Sequence, residues 1–165
     1  MRTGVALGSN LGDRFSNLRV AAEAIFHLAK RRVLSSAIYE TDPVNCEPGA
    51  PKFLNAVVEF DYDGDAIDLL RKLKQIEVTM GRPTDHERNR SRVIDIDLLY
   101  VGENKIDSEQ LQLPHPRMHL RRFVLQPLAD IRSDLVLPNQ LKTVRELLAE
   151  LSDSSKVVRF GANVS

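Results

Sequence analysis

The sequence predicts an α+β fold of the ferredoxin-like type, a βαββαβ sandwich in which helices cover one face of an antiparallel sheet and additional helices follow toward the C-terminus. Three observations carry this. Residues 13–31 and 65–80 repeat apolar residues at helical spacing, strand-like runs flank each of these stretches, and the two runs between them follow one another with only a loop in between. A chain of 165 residues with no internal repeat, low-complexity tract or Gly/Ser linker suits a single domain over residues 1–165.

In chain order, Val5 to Leu7 opens a short apolar strand that stops at "GSNLGDR", where Gly8, Asn10, Gly12 and Asp13 are turn and helix-capping types. A helix follows over Asp13 to Arg31, with Leu18, Ala21, Ala22, Ile25, Leu28 and Ala29 at three- and four-residue spacing. "RVLSSAIYET" and "FLNAVVEFDY" read as strands, joined by "DPVNCEPGAPK", whose prolines force an irregular loop. Loops of that length without structure of their own tend to be functional. Asp65 to Met80 is a second amphipathic helix, with Ala66, Leu69, Leu70, Leu73, Ile76 and Met80 on one arc and Gly81 as its stop. Glu77 falls inside that arc, so it either reaches solvent at the rim or is held by a partner, because an unpaired buried carboxylate is costly. A strand over 92–101, a hairpin through "GENKID", the segment "LPHPRMHLRRFVLQPLADI", a closing helix from Thr143 to Leu151 and a surface tail with a short strand in "KVVRF" complete the chain.

Composition narrows the function classes. Lys and Arg number 23 against 23 for Asp and Glu, so the overall field does not point to nucleic acid. No apolar run reaches the roughly 18 residues a membrane helix needs, and "MRTGVALGSN" has too short an apolar stretch for a signal peptide. The lone Cys46 has no internal disulfide partner. A cytoplasmic protein, monomeric and without a membrane or nucleic-acid partner, is expected.

The chemistry concentrates in "SRVIDIDLLYVG". Asp95 and Asp97, two residues apart on a strand, share a face and lie roughly 6 to 7 Å apart. Ile94, Ile96, Leu98 and Tyr100 are expected on the opposite face, with Leu99 and Val101 continuing the acid face as apolar residues. Two carboxylates this close raise one another's pKa unless a cation lies between them, and Mg²⁺ commonly takes one or two carboxylates together with substrate phosphates. An isolated D-x-D is ordinarily a pair of solvated acids. Here Arg82, Arg88, Arg90 and Arg92 immediately precede it, and arginine matches phosphate bidentately, so the context favours a polyphosphate clamp. No G-x-x-x-x-G-K-[ST] loop occurs, so arginines and metal would hold any nucleotide.

With "ALGSNLGDR", "FLNAVVE", "IEVTMGRPTDHERNRSRVIDIDLLYVG" and "LPHPRMHLRRFVLQPLADI" in unbroken order from about Val5 to Ile131, the sequence resembles the 6-hydroxymethyl-7,8-dihydropterin pyrophosphokinases of folate biosynthesis. The resemblance implies transfer of the β,γ-diphosphate of ATP to the hydroxymethyl group of a reduced pterin, releasing AMP; because nothing in the chain looks like a nucleophile, direct in-line attack of the pterin hydroxyl is expected. It implies that Asp95 and Asp97 hold two Mg²⁺ ions and that Arg82 and Arg92 neutralise the transferring group. Glu77, Arg88, His115 and Arg121 match the ATP side. The pterin is expected between Phe53 and Phe123, its edge bonded by Asn55 and by the backbone of Thr41, Pro43 and Val44, with Asn10 in the adjoining turn.

The sequence departs from the family pattern in its loops. A tryptophan usual after the arginine matched by Arg88 is Asn89, a Gly-Pro before Arg92 is Arg90-Ser91, an arginine two residues after Arg82 is Thr84, and the segment before "FLN" lacks a common glutamine. These changes bear on loop closure over substrate and spare the acid pair. Two other readings fit the fold, a non-catalytic nucleotide or metal sensor and an RNA-binding module. The second is disfavoured by the missing R-G-F-x-F aromatics and the zero net charge.

Overall fold

A computed structural model of the protein describes residues 1–43, 46, 48–81 and 91–164. The elements are β1 (Arg2–Ser9), α1 (Arg14–Phe26), β2 (Arg31–Ser35), β3 (Ala37–Thr41), β4 (Phe53–Asp61), α2 (Ala66–Thr79), β5 (Asp95–Val101), β6 (Ile106–Asp107), β7 (Gln112–Leu113), a 3-10 turn at Met118–Leu120, α3 (Arg122–Arg132), α4 (Val144–Glu150) and β8 (Val157–Asn163). The main sheet runs β5-β1-β4-β3-β8, with β2 also on β4, and its pairings are antiparallel. With β2 and β3 counted as one interrupted strand, β1 to β5 with α1 and α2 form the ferredoxin-like βαββαβ unit.

Local chemistry sets the helix starts. The Asp13 carboxylate accepts the Ser16 N–H at 3.1 Å and caps α1. Asp65 does the same for α2, accepting from Ile67 and Asp68. On one face of the sheet Val5, Leu7, Ala56, Val58 and Phe60 pack under Leu18, Ala21, Ala22 and Ile25 of α1 and Leu69 and Leu73 of α2. Each such large side chain taken fully out of water contributes about 1.5 to 3 kcal/mol.

Helices cover both faces, not one. Val57, Leu99 and Tyr100 form a second core with Val124, Leu125 and Leu128 of α3 and Val144 of α4. Burial on both sides explains why "LNAVVEF" in β4 reads as a nearly continuous apolar run, without the alternation of a half-solvated strand. Four boundaries also differ from expectation. Helix α1 ends at Phe26, and Leu28 and Ala29 reach the core from the turn after it. The strand expected over 32–41 breaks at the buried Ser36, whose hydroxyl accepts the Val57 N–H at 2.9 Å and donates to Ala37 O at 2.7 Å. The hairpin lies one step later, between β6 and β7, with Ile106 opposite Leu113. The tail strand is β8, paired along β3 as part of the main sheet.

A bulge in β5 alters the expected alternation. Val5 opposes Leu98 while Gly4 opposes Tyr100, so β5 carries one extra residue there. Tyr100 therefore joins Leu99 in the second core and Val101 turns to the first. Gly4 makes room for it, since a Cβ at Gly4 would lie 2.3 Å from the Tyr100 ring.

Candidate active site

The acid face of β5 lies beside the small residues of β1. Gly8 opposes Asp95 and Ala6 opposes Asp97, and on the other side Gly8 opposes Asn55 of β4. These small residues keep the floor of a cleft low, since a Cβ on Gly8 would stand 3.2 Å from Asn55 Oδ1 and 3.7 Å from the Phe53 ring. Helix α3 lies over β4 and β3 on this same face, and the cleft opens beside its first turn. About 140 Å³ in volume, the cleft is lined by Asp95, Asp97, Arg92, Arg121, Phe53, Phe123, Asn55 and Thr41, together with Ala6, Leu7, Gly8, Asp42 and Cys46.

The strand entering the cleft is fixed from below. Asn10 is only 1 % exposed. Its Oδ1 accepts the Arg92 N–H at 2.7 Å, its Nδ2 donates to Pro51 O at 3.2 Å and Ser91 Oγ at 3.3 Å, and its own N–H donates to Arg92 O at 3.2 Å. One amide thus ties the end of β1 to the segments that enter β4 and β5. Arg92, held by its main chain, sets Nη1 3.1 Å from Asp95 Oδ1.

Asp97 is half-buried, and burial pushes its carboxyl above the usual carboxylate range. The charge of Asp95 adds to that shift, while His115, Lys74 and Arg121 oppose it. A divalent cation would relieve both causes, so the pair fits such an ion. Among the described residues no group of three or more His, Cys, Asp or Glu is placed to hold a metal. A cation here would rest on the two carboxylates, and Mg²⁺ commonly adds water and phosphate oxygen to such a pair.

A second opening, about 420 Å³, lies along the outer edge of β5 between Leu70 and Lys74 of α2 and the segment through Leu111, Gln112 and His115, and it shares Asp97 with the cleft. Glu77, only 1 % exposed, accepts the Ile96 N–H at 2.7 Å and the Lys74 ammonium at 3.1 Å. Its place on an apolar arc is thereby explained: it satisfies an edge-strand donor that β1 cannot reach. His115 donates its backbone N–H to Leu99 O at 2.7 Å, and its Nδ1 accepts the Arg117 N–H at 3.2 Å. Burial lowers the imidazole pKa, with Arg121 and Arg117 acting in the same sense and Asp97 opposing. A neutral ring with Nδ1 as acceptor presents Nε2–H as a donor.

On the other side of the acids, the Arg121 guanidinium lies 5.5 Å from the Phe123 ring centroid. Asn55 donates to Thr41 Oγ1 at 2.7 Å, fixing the amide in the cleft wall.

The cleft thus gathers Arg92, Asp95, Asp97, Arg121, Thr41, Phe53, Asn55 and Phe123. His115 lies on the second opening, Glu77 behind β5, and Asn10 on a separate opening with Pro51 and Lys52, its side-chain groups engaged by other segments. Pro43 is half-buried just past Thr41, while Val44, Arg82 and Arg88 lie outside the described residues. Sequence reading missed Ala6 and Gly8 as the floor, Lys74 as a cation on Glu77, and Asp42 and Cys46 in the cleft wall. The floor had a signal, since Gly4, Ala6 and Gly8 recur at a spacing of two in a strand and so line one face with small residues.

Comparison with known proteins identifies the family. The sequence profile of the family described as 7,8-dihydro-6-hydroxymethylpterin-pyrophosphokinase (HPPK) matches residues 4–133. A 2-amino-4-hydroxy-6-hydroxymethyldihydropteridine pyrophosphokinase of Bacillus subtilis is 45% identical over 128 residues, 77% of this chain and 75% of the relative. The protein of that name from Haemophilus influenzae is 36% identical over 154 residues, 93% of this chain and 94% of the relative. In fold, the chain is similar to a crystal structure of Plasmodium falciparum HPPK-DHPS, with a TM-score of 0.70 at 14% identity over 90% of this chain. This chain spans only 44% of that longer one. On the profile match and these relatives, the chain belongs to the 7,8-dihydro-6-hydroxymethylpterin pyrophosphokinase family and is a diphosphokinase.

Proposed function

We propose that the chain, as a single domain over residues 1–165, transfers the diphosphate of ATP to the hydroxymethyl group of 6-hydroxymethyl-7,8-dihydropterin, giving AMP and the pterin diphosphate in folate biosynthesis. One observation supports this above the others: an aromatic cleft and a second opening converge on the same carboxylate, Asp97. Two substrates entering from the two sides would place their reacting groups at the acid pair. The reading as a non-catalytic sensor is not favoured by the family match.

Phe53 and Phe123 would sandwich the flat pterin, an arrangement that adds about 0.5 to 1.5 kcal/mol beyond burial for aromatic pairs. Asn55, held by Thr41, would read the ring edge with the backbone of Thr41, Pro43 and Val44. Asn10 would serve the pterin side by fixing Arg92 and the segment at Pro51. On the nucleotide side, His115 would donate Nε2–H to a phosphate oxygen, Arg121 and Arg88 would add guanidinium contacts, and Glu77 would keep β5 in place beside the ATP site. Arg92, oriented by Asp95 and Asn10, and Arg82 would face the transferring group. A pre-positioned donor of this kind is worth about 10² to 10³ in turnover. Asp95 and Asp97 would hold Mg²⁺, two ions by family pattern, which when bound supplies charge neutralisation of the phosphates.

We further propose that the enzyme acts as a cytoplasmic monomer, without a nucleic-acid or membrane partner. No described helix is long and apolar enough to cross a membrane. The direct test is AMP formation from purified protein. AMP should appear only when ATP, 6-hydroxymethyl-7,8-dihydropterin and Mg²⁺ are all present. ATP breakdown at the same rate without the pterin would contradict the proposal.

A further inference from the structure

Far from the acids, roughly 20 Å along β1 by strand rise, four arginines converge on a cleft of about 260 Å³: Arg2 of β1, Arg31 and Arg32 of β2, and Arg132 at the end of α3. Two carboxylates share it, Glu59 and Asp61. Glu59 is 3 % exposed and organises the basic groups. Its Oε1 accepts from Arg132 Nε at 2.7 Å and from Arg132 Nη2, and lies 3.5 Å from Arg2 Nε. A single buried oxygen therefore holds two like-charged guanidinium groups side by side.

The backbone of β2 adds two more. The pairing of β2 with β4 shifts between Arg31 and Val33, and the residue inserted there, Arg32, has φ +31°. That left-handed conformation is uncommon for a residue with a side chain. In a regular strand Arg31 and Arg32 would point to opposite faces. With the bulge, both line the cleft. Local strain of this kind persists where the surrounding structure sustains it, and it often marks a functional site. Among the described residues neither Arg31 nor Arg32 has an ion-pair partner, so the four guanidinium groups exceed the two carboxylates by two charges.

We propose that this cleft is a second anion site, for a small di- or triphosphate-bearing molecule, separate from the catalytic cleft. Guanidinium groups bind phosphate bidentately, and several fixed on one wall suit a chain of phosphates better than a single planar carboxylate. Leu34, exposed and paired with Glu59 across the strands, gives the cleft an apolar side against which an organic moiety of the ligand can rest.

Inorganic tripolyphosphate, titrated into the ¹⁵N-labelled full chain in EDTA at constant ionic strength, tests the site. Saturable shifts are expected at the amides of Arg31, Arg32, Val33 and Arg132. The double variant Arg31→Ala, Arg32→Ala should bind there about 10- to 100-fold more weakly, with pyrophosphokinase turnover unchanged. Arg32→Gly, which removes the guanidinium and suits the positive φ, should weaken binding while raising the melting temperature. Several outcomes would overturn the proposal: no saturable shift at these amides, equal affinity in the variants, or the same shifts with sulfate at matched ionic strength. Binding of a single-stranded oligonucleotide there with no response to tripolyphosphate would overturn it in favour of nucleic acid. Loss of turnover in the double variant would tie the cleft to catalysis and overturn its separateness.

Discussion

Glu59 on β4 and Asp97 on β5 lie on the same face of one sheet, on strands that both pair with β1. Glu59 is closed in by donors of the chain itself: Arg132, Arg2 at longer range, and the Tyr100 hydroxyl at 2.6 Å. Burial together with that carboxylate pushes the Tyr100 phenol well up. Asp97 is treated differently. Its neighbour on the face is another acid, and the groups that favour its charge, His115, Lys74 and Arg121, line the two openings. A buried acid neutralised from within does structural work. In the acid pair Arg92 contacts Asp95 directly, whereas the groups that favour the charge of Asp97 line two open clefts, and this difference separates one end of the sheet from the other.

Substitutions should divide along that line. Asp97→Ala should lower turnover by at least about 10³-fold, because a lost metal contact removes several kcal/mol of transition-state stabilisation. The fold should survive, as circular dichroism would show, and near-normal AMP formation would break the comparison. Glu59→Ala leaves the buried Tyr100 hydroxyl and the half-exposed Arg132 without their acceptor and should cost about 1 to 3 kcal/mol of stability, read by denaturant titration. The folded fraction should keep a wild-type KM for pterin. Arg92→Ala should reduce kcat by about 10² to 10³ with little change in nucleotide affinity, and a variant defective only in binding would assign Arg92 to the ground state. Asn10→Ala strands the Arg92 N–H and Pro51 carbonyl and should cost about 1 to 3 kcal/mol, with kcat falling as well because Arg92 is no longer fixed.

The smallest effect has the opposite sign. The raised carboxyl of Asp97 means that the metal-free native state binds its proton more tightly than the unfolded chain does. Stability of the metal-free protein should therefore fall as pH rises from the ordinary aspartate range through the raised value. Asp97→Asn removes that penalty, so the metal-free variant should melt above wild type at neutral pH while losing activity. A lower melting temperature would contradict the raised carboxyl of Asp97.

Much of the active end was legible in the sequence because strand alternation assigns sides. Asp95 and Asp97 on one face of β5, Asn55 and Phe53 on β4, and the aromatic Phe123 after the Pro-rich turn all come together as expected. The cover over the second face was not, because α3 and α4 follow β5 in the chain and a continuous apolar run in β4 does not say which helices bury it. Neither was the turn of Tyr100 to the acid face, since a one-residue bulge inverts alternation without a local signal in "DLLYVG". Glu77 and Asn10 illustrate a further limit. Both are polar residues explained by backbone groups from distant segments, Ile96 N–H for one and Arg92 N–H and Pro51 O for the other, and such partners are set by tertiary geometry alone.

The most direct measurement is a crystal structure with Mn²⁺ in place of Mg²⁺ and a non-hydrolysable ATP analogue, read by anomalous scattering. Metal peaks within coordination distance of both Asp95 and Asp97, bridging them to the phosphates, are the expected result. Phosphates bound with the metal elsewhere and both carboxylates turned away would contradict the account at its centre.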